Sequence, residues 1–177
     1  MPSEDLTLEL EANGSRKKTH TFLATGDTVR TRYTEVFDKL GLPSEILVER
    51  LSSKSDHNKL IVYFGPKQAK VTITVRGKTA SGSLPYPAGS LRDSGAFWFI
   101  RDHPNIGATT HFIFYDIRDA KWKQDSKTYS GDKVVDYHRR SIKIHVIKHA
   151  GYIEWVDDNG LTFRLANEKG ETTFQRE

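Results

Sequence analysis

Apolar and polar residues alternate with a period of two along much of the chain. The pattern runs through LTLELEA (6–12), AKVTITVRG (69–77), SIKIHV (141–146) and LTFRLA (161–166). Successive side chains of a β-strand point to opposite faces, so this alternation predicts strands with one apolar face and one wet face.

Short turn signals separate these runs, among them Gly131-Asp132 and Asn159-Gly160. Asn-Gly suits the positive φ angles of a tight hairpin turn. Many short strands joined by tight turns predict an all-β (or β-rich α+β) fold, an antiparallel meander of about 10–12 strands curved into a half-open or closed barrel. No linker or low-complexity tract divides the chain, so we predict a single β-barrel-like domain over 1–177.

Three segments depart from simple alternation. KLIVYF (59–64) and HFIFYDI (111–117) are apolar on both faces, which predicts positions in the middle of a sheet. In DSGAFWFIRDHP, Asp93 fits an N-cap and Pro104 a stop, which predicts one short helix near 92–102 lying against the concave face of the sheet. The alternative for this last segment is a strand apolar on both faces, because aromatic residues favour strands.

Composition narrows the class of protein. The 177 residues are 36% hydrophobic and 28% charged, which fits a globular chain, and no apolar run approaches the roughly 20 residues of a membrane helix. The absence of cysteine excludes disulfides, cysteine-ligated zinc and a thiol nucleophile. The start MPSEDLTLEL lacks the features of a signal peptide. We therefore expect a periplasmic or secreted protein if an export signal was trimmed, and a cytoplasmic one if the chain is complete as given.

The net charge of +4 is unevenly placed, since residues 118–149 hold nine lysines and arginines against four aspartates. This segment also contains Trp122, which looks exposed, together with Tyr129 and Tyr137, and cations interleaved with aromatic residues occur in single-strand nucleic-acid binders. The aspartates dilute the charge and the usual RNA-binding signatures are absent, so we do not predict a nucleic-acid partner. A solvated, charged strand face is the alternative reading.

Three long stretches carry a resemblance to a known kind of protein: 84–116 (LPYPAGSLRDSGAFWFIRDHPNIGATTHFIFYD), 127–148 (KTYSGDKVVDYHRRSIKIHVIK) and 151–177. Their order resembles a family of bacterial envelope proteins classed only as a domain of unknown function, with a fold similar to the half-barrel of periplasmic lipoprotein carriers. The resemblance implies a curved antiparallel sheet wrapped around a helix or a ligand, outside the cytoplasm. It implies no reaction.

Aromatic side chains gathered in such a sheet can line an apolar cavity, or can fill the core themselves. We predict non-catalytic binding of an apolar or amphipathic, lipid-like molecule in the concave face. Lys143 or Arg164 at the mouth could join Arg101 in pairing with an anionic headgroup. The predicted ligand-binding residues are Tyr86, Phe97, Trp98, Arg101, Phe112, Phe114 and Trp155.

Two other function classes stay open. A small cavity enzyme of the β-barrel cyclase or isomerase kind would use His103 or Asp93 for proton transfer. A protein-interaction module of the cell envelope would bind a partner through an unpaired sheet edge. We predict no cofactor, and no metal site, since His138, His145 and His149 lack a metal-ligand spacing.

Overall fold

The computed structural model divides the chain into two compact units, Met1–Ser90 and Leu91–Glu177. Each unit is built on one antiparallel sheet. We predicted a single domain over 1–177, and the division into two compact units leaves that as a prediction. In the described part of the chain, no helix has the length and hydropathy needed to cross a membrane. The structure describes residues 5–23, 29–51, 58–87, 95–116 and 119–175.

The first unit holds a seven-stranded meander in which each strand pairs with the next along the chain. Tight turns connect several of the strands, as the sequence pattern predicts. The strands are β1 (Asp5–Leu10), β2 (Arg16–Phe22), β3 (Thr31–Phe37), β4 (Pro43–Arg50), β5 (Lys59–Phe64), β6 (Gln68–Val75) and β7 (Lys78–Pro85).

The second unit holds a six-stranded meander and a single described helix. Its strand order again follows the chain, so every described connection joins neighbouring antiparallel strands. The elements are α1 (Trp98–Asp102), β8 (Thr109–Asp116), β9 (Lys121–Tyr137), β10 (Arg140–His149), β11 (Tyr152–Asp157), β12 (Thr162–Asn167) and β13 (Thr172–Gln175).

The antiparallel meander predicted from the alternation is confirmed, with thirteen described strands rather than 10–12. Strand β5 lies inside its sheet as expected for 59–64, whereas β8 ends the described order of the second sheet, so the mid-sheet position predicted for 111–117 is wrong. Strands β1 and β7 end the first sheet, and β13 ends the second opposite β8. The described strands therefore form two open sheets rather than a closed barrel.

The predicted helix is present but shorter than 92–102, because α1 covers only Trp98–Asp102. Gly95 has φ +63°, a left-handed conformation that a right-handed helix cannot include, so the helix cannot extend back through it. Asp93, the predicted N-cap, lies outside the described residues. The helix ends at His103, whose φ of 44° makes a left-handed C-cap ahead of the proline.

Helix α1 packs on one face of the second sheet. Trp98 and Phe99 are 6% and 3% exposed, and they form a buried cluster with Tyr129 of β9, Ile147 of β10 and Val156 of β11. Phe97, the residue before the helix, is also buried, at 1% exposure. Ile100, farther along the helix, is partly buried against the same cluster.

A β-bulge in β9 replaces the turn predicted at Gly131-Asp132. His145 pairs with Asp132 and Ile147 pairs with Tyr129, so two residues of β9 face a single residue of β10. Gly131 has φ +104°, which suits a bulge position, and the strand continues through it. The extra residue brings Tyr129 and Asp132 to the same face, although residues three apart in a regular strand point to opposite faces.

Candidate functional site

An apolar row crosses all seven strands of the first sheet. Partners in an antiparallel ladder project from the same face, so the side chains of such a row stand next to one another. Most of its members are apolar or aromatic, and the alternation in 6–12 and 69–77 predicts this face. The apolar row consists of Leu6, His20, Tyr33, Val48, Leu60, Ile73 and Ala80, each paired with the next.

This face changes from buried to exposed along the strands. The neighbouring row contains Ile46, Val62 and Val71, which are 5%, 0% and 8% exposed. In the opposite direction along β6, Ile73 and Val75 are each 45% exposed. One end of the apolar face is thus filled, while the other end keeps apolar surface accessible.

Two cations lie on the same face beyond the apolar row. Arg50 is two residues past Val48 in β4, and Lys78 of β7 pairs with Val75. Both side chains are exposed. The accessible end of the apolar face is therefore bordered by positive charge.

The opposite face of β6 and β7 is polar. The hydroxyl oxygens of Thr72 and Ser81 lie 3.0 Å apart, and those of Thr74 and Thr79 are also 3.0 Å apart. These cross-strand hydroxyl pairs satisfy one another beside water. At β6 and β7 the sheet accordingly separates an apolar face from a polar one, as the alternation in 69–77 predicts, whereas Leu47 and Ile61 pair on the second face in the middle of the sheet.

Three of the predicted ligand-binding rings are interior. Phe97, Trp98 and Phe112 are 1%, 6% and 6% exposed. A Cβ added to Gly160 would lie 2.0 Å from Cε1 of Phe97, and one added to Gly95 would lie 2.7 Å from Cε1 of Phe112. A ligand reaches these rings only by displacing the protein that covers them, so their role in binding stays a prediction.

Phe114 and Trp155 are half-buried in the second sheet. The Phe114 ring lies 6.2 Å from that of Phe112, and the Trp155 ring lies 4.8 Å from the guanidinium of Arg164. The second pair is a cation–π contact between partners on neighbouring strands. The Arg164 guanidinium, expected at the mouth of a cavity, instead covers an indole ring.

Tyr86 belongs to the first unit, apart in sequence from the other predicted site residues. Its hydroxyl donates a hydrogen bond to the carbonyl of Gly65 at 2.8 Å. This bond fastens the chain after β7 to the turn between β5 and β6. The ring is half-buried, and its assignment to a ligand stays a prediction.

The polar residues at the end of α1 form an exposed ion pair. Arg101 donates to both carboxylate oxygens of Asp102, at 2.8 and 3.1 Å. This hydrogen-bonded guanidinium lowers the pKa of Asp102. His103 is exposed at the helix C-cap, and its proposed partner Asp93 is outside the described residues. Their catalytic role stays a prediction.

A hydrogen-bonded cluster around His145 is the feature that sequence reasoning missed. His145 is 7% exposed, with Nδ1 2.7 Å from Oδ1 of Asp132 and Nε2 2.8 Å from Oδ1 of Asp158. The Tyr129 hydroxyl donates to the Asp132 carboxylate, and Lys143 Nζ lies 2.7 Å from its other oxygen. We call these five residues the His145 cluster.

The electrostatics of the His145 cluster keep Asp132 ionised. Burial raises the pKa of this carboxyl, but hydrogen bonds from Lys143 and Tyr129 outweigh it, and the net shift is downward. Burial, and then the hydrogen bond to Asp132, raise the pKa of Tyr129. The hydrogen bond to Asp132 raises the pKa of Lys143. The same charge arrangement therefore keeps the tyrosine neutral and the lysine charged.

The His145 cluster links β9 and β10 to the turn after β11. Both ring nitrogens of His145 face carboxylate oxygens, and Phe99 lies over the ring with a centroid separation of 4.8 Å. A general base needs a nitrogen within reach of a substrate proton, and neither nitrogen is left for one. The geometry fits structural linkage rather than proton transfer. In the sequence its one signal is the Gly131-Asp132 pair, which fits a turn as well as a bulge.

Two solved structures of bacterial proteins of unknown function are similar to this chain. A β-barrel-like protein of domain of unknown function DUF1849 from Brucella abortus has a TM-score of 0.60 at 8% identity, covering 97% of this chain and 83% of its own. A DUF1089 family protein from Pseudomonas aeruginosa has a TM-score of 0.52 at 12% identity, covering 99% and 92%. No protein-family model matches the sequence, and no curated protein matches it. These likenesses support the β-rich fold and carry no activity.

Proposed function

We propose that the protein binds an apolar or amphipathic, lipid-like molecule without chemical conversion, on the accessible end of the apolar face of the first sheet. The apolar row is the observation that carries this proposal. Ile73 and Val75 each keep 45% of their surface exposed, whereas Ile46, Val62 and Val71 toward the other end of the face are buried. Contiguous exposed apolar surface is typical of ligand and interaction sites.

The dimensions and charges suit an amphipathic chain. Seven strands give six interstrand spacings, so the apolar row extends about 29 Å across the sheet. An extended acyl chain fits along such a row. Arg50 and Lys78, at the border of this face, supply donors for an anionic headgroup.

A lipid-like ligand agrees with a place in the bacterial cell envelope, as the sequence resemblance implies. A periplasmic or secreted location follows from the proposal when the chain is made with an export signal. Cell fractionation of the protein made in its own host tests the location. Recovery in the envelope or periplasmic fraction supports it, and recovery in the cytoplasm contradicts it.

Native mass spectrometry of the purified protein, followed by solvent extraction, tests the binding. The expected result is a stoichiometric adduct above the 20.2 kDa chain mass that is extracted as an amphipathic molecule. A clean chain that also fails to bind added oleate contradicts the proposal.

Two neighbouring substitutions in β6 locate the site. Ile73→Asp places a charge on the apolar row, and Thr74→Asp places the same charge on the polar face of the same strand. Burying an isoleucine side chain against a ligand is worth roughly 1.5–3 kcal/mol, so Ile73→Asp should weaken oleate binding by about tenfold or more. Thr74→Asp should leave binding unchanged, and equal losses in both variants would count against the apolar row.

Strand β7 favours a second candidate function, binding of a protein partner by strand addition. All of its residues except Leu84 are exposed, and its outer edge pairs with no described strand. An extended peptide could add to such an edge through main-chain hydrogen bonds. Ser81→Pro removes an amide donor from the outer edge of β7, because residues that alternate with the hydrogen-bonded Val75–Lys78 pair direct their N–H groups away from β6. Loss of a pulled-down partner, with oleate binding kept, would favour this candidate.

A further inference from the structure

A groove lies at one end of the second sheet, where the turn between β9 and β10 meets the turn between β11 and β12. Its volume is about 680 Å³, within the range of small-molecule sites. Tyr137 and Ile142 contribute apolar surface to its lining. All of its lining residues belong to the second unit, whereas the apolar row belongs to the first.

The acidic residues of the groove are already engaged by the protein. Asp157 Oδ1 accepts hydrogen bonds at 3.0 Å from the backbone N–H groups of Asn159 and Leu161. The Asp158 carboxylate lies 2.8 Å from Nε2 of His145. Neither carboxylate therefore depends on a bound cation for its hydrogen bonds.

The basic residues of the groove are less fully engaged. Lys143 pairs with Asp132 at 2.7 Å, and the His138 ring lies 4.2 Å from the Tyr137 ring between centroids. Arg140 makes no ion pair with any residue that the structure describes. Its five N–H donors are suited to two oxygens of an anionic group.

The turn between β9 and β10 has a backbone conformation that is uncommon for residues other than glycine and asparagine. His138 and Arg139 have φ of 47° and 65°, in the left-handed region that hairpin turns usually fill with asparagine and glycine. Side chains with a Cβ are held there at a cost, and such strain concentrates at functional sites. The strained turn brings His138 and Arg140 to the lining of the groove.

We propose that this groove binds a small organic anion, a carboxylate or phosphate attached to an apolar ring or chain. Arg140 pairs with the anionic oxygens, and Tyr137 and Ile142 contact the apolar part. His138 lies beside the anion in the same lining. Of the lysines and arginines in 118–149, Arg140 and Lys143 line this groove.

Titration of the isotope-labelled protein with phenyl phosphate, followed by amide NMR shifts, tests this site. The expected result is saturable shifts in 137–143 and 157–159, with inorganic phosphate binding more weakly. Arg140→Gln should weaken phenyl phosphate by about tenfold or more, the usual effect of losing a charged hydrogen bond. The matched control is Arg139→Gln, which removes the same charge from the same turn without touching the lining.

Three results would overturn the groove proposal. If Arg139→Gln and Arg140→Gln weakened phenyl phosphate binding equally, the loss would reflect the overall positive charge of the turn rather than a contact made by Arg140. Saturable shifts outside the groove would place the ligand elsewhere. Arg140-dependent binding to phosphatidate vesicles, with no binding of phenyl phosphate, would assign the anion to a membrane headgroup. Ile73→Asp should leave phenyl phosphate binding unchanged, so this test stands whether or not the first sheet binds a lipid.

Discussion

Gly160→Ala tests whether Phe97 belongs to the protein's own core or is available to a ligand. Gly160 is buried in the turn between β11 and β12, with φ +88°. An added Cβ would lie 2.0, 2.6 and 3.1 Å from three carbons of the Phe97 ring. The ring fills the space beside the glycine, so the methyl group can be accommodated only if the ring moves.

Gly170→Ala is the matched control, and it allows the magnitude to be separated into two parts. Gly170 ends the next hairpin turn with φ +85°, and an added Cβ would meet nothing within 4 Å. Both variants should lose about 1–2 kcal/mol of unfolding free energy from the left-handed backbone. Gly160→Ala should lose a further 1–3 kcal/mol or so from overpacking against Phe97.

Urea unfolding followed by tryptophan fluorescence measures this difference in the second unit. All three tryptophans, at positions 98, 122 and 155, lie within Leu91–Glu177. Equal unfolding free energies for the two alanine variants would refute the packing of Phe97 against Gly160. The ring would then be free to line a cavity, as the sequence pattern allows.

Three further predictions concern charges in the second unit. The pKa of Asp132 is lowered from 3.8, so its stabilising effect should be present above that pH and lost as the pH falls through the lower native value. The stability gap between wild type and Asp132→Asn, measured by urea unfolding, should therefore close in acid, and a constant gap would contradict this. Burial lowers the pKa of His149 from 6.5, so stability should fall as the pH drops below 6.5, and less so in His149→Gln. Equal slopes of unfolding free energy against pH would count against it. Arg164→Gln should cost about 0.5–1 kcal/mol through loss of the contact with Trp155 and of the hydrogen bonds to Thr172, measured by the same fluorescence assay, and an unchanged midpoint would show that these contacts contribute nothing.

Period-two alternation correctly predicted which segments form strands. It also predicted which side chains lie on the apolar face, where no other segment packs on the sheet. Leu6 of β1 and Ile73 of β6 belong to the same apolar row. Neither sequence stretch by itself shows which strand the residue pairs with. Alternation shows which residues of one strand share a face, because successive side chains point to opposite faces. The pairing register then aligns the apolar residues of neighbouring strands on one face of the sheet.

Alternation along a strand could not show that another segment of the chain packs on its polar face and buries it. The pattern places His145 on a wet face, but α1 covers that face, and the ring is 7% exposed against Phe99. Trp122, expected to be exposed, is half-buried, with its ring 5.4 Å from that of Tyr115 on the paired strand. Contacts of this kind depend on long-range packing that local sequence does not encode.

The candidate sites were predictable only in part for the same reason. The aromatic stretch around Phe97 suggests a ligand, and the structure buries Phe97, Trp98 and Phe99, so their role in binding stays a prediction. The His145 cluster requires the bulge at Gly131, which moves Asp132 to the face of His145. A Gly-Asp pair inside a strand reads equally well as a turn, so sequence alone did not separate the two.

Photo-crosslinking with a diazirine-bearing fatty acid tests the central claim most directly. After irradiation, peptide mapping should place the label on the apolar row and its exposed neighbours, chiefly around Leu60, Ile73 and Val75. Ile73→Asp should abolish this labelling, and Thr74→Asp should preserve it. Labelling concentrated in 97–114, or spread without regard to the face of the sheet, would contradict a lipid-binding first sheet.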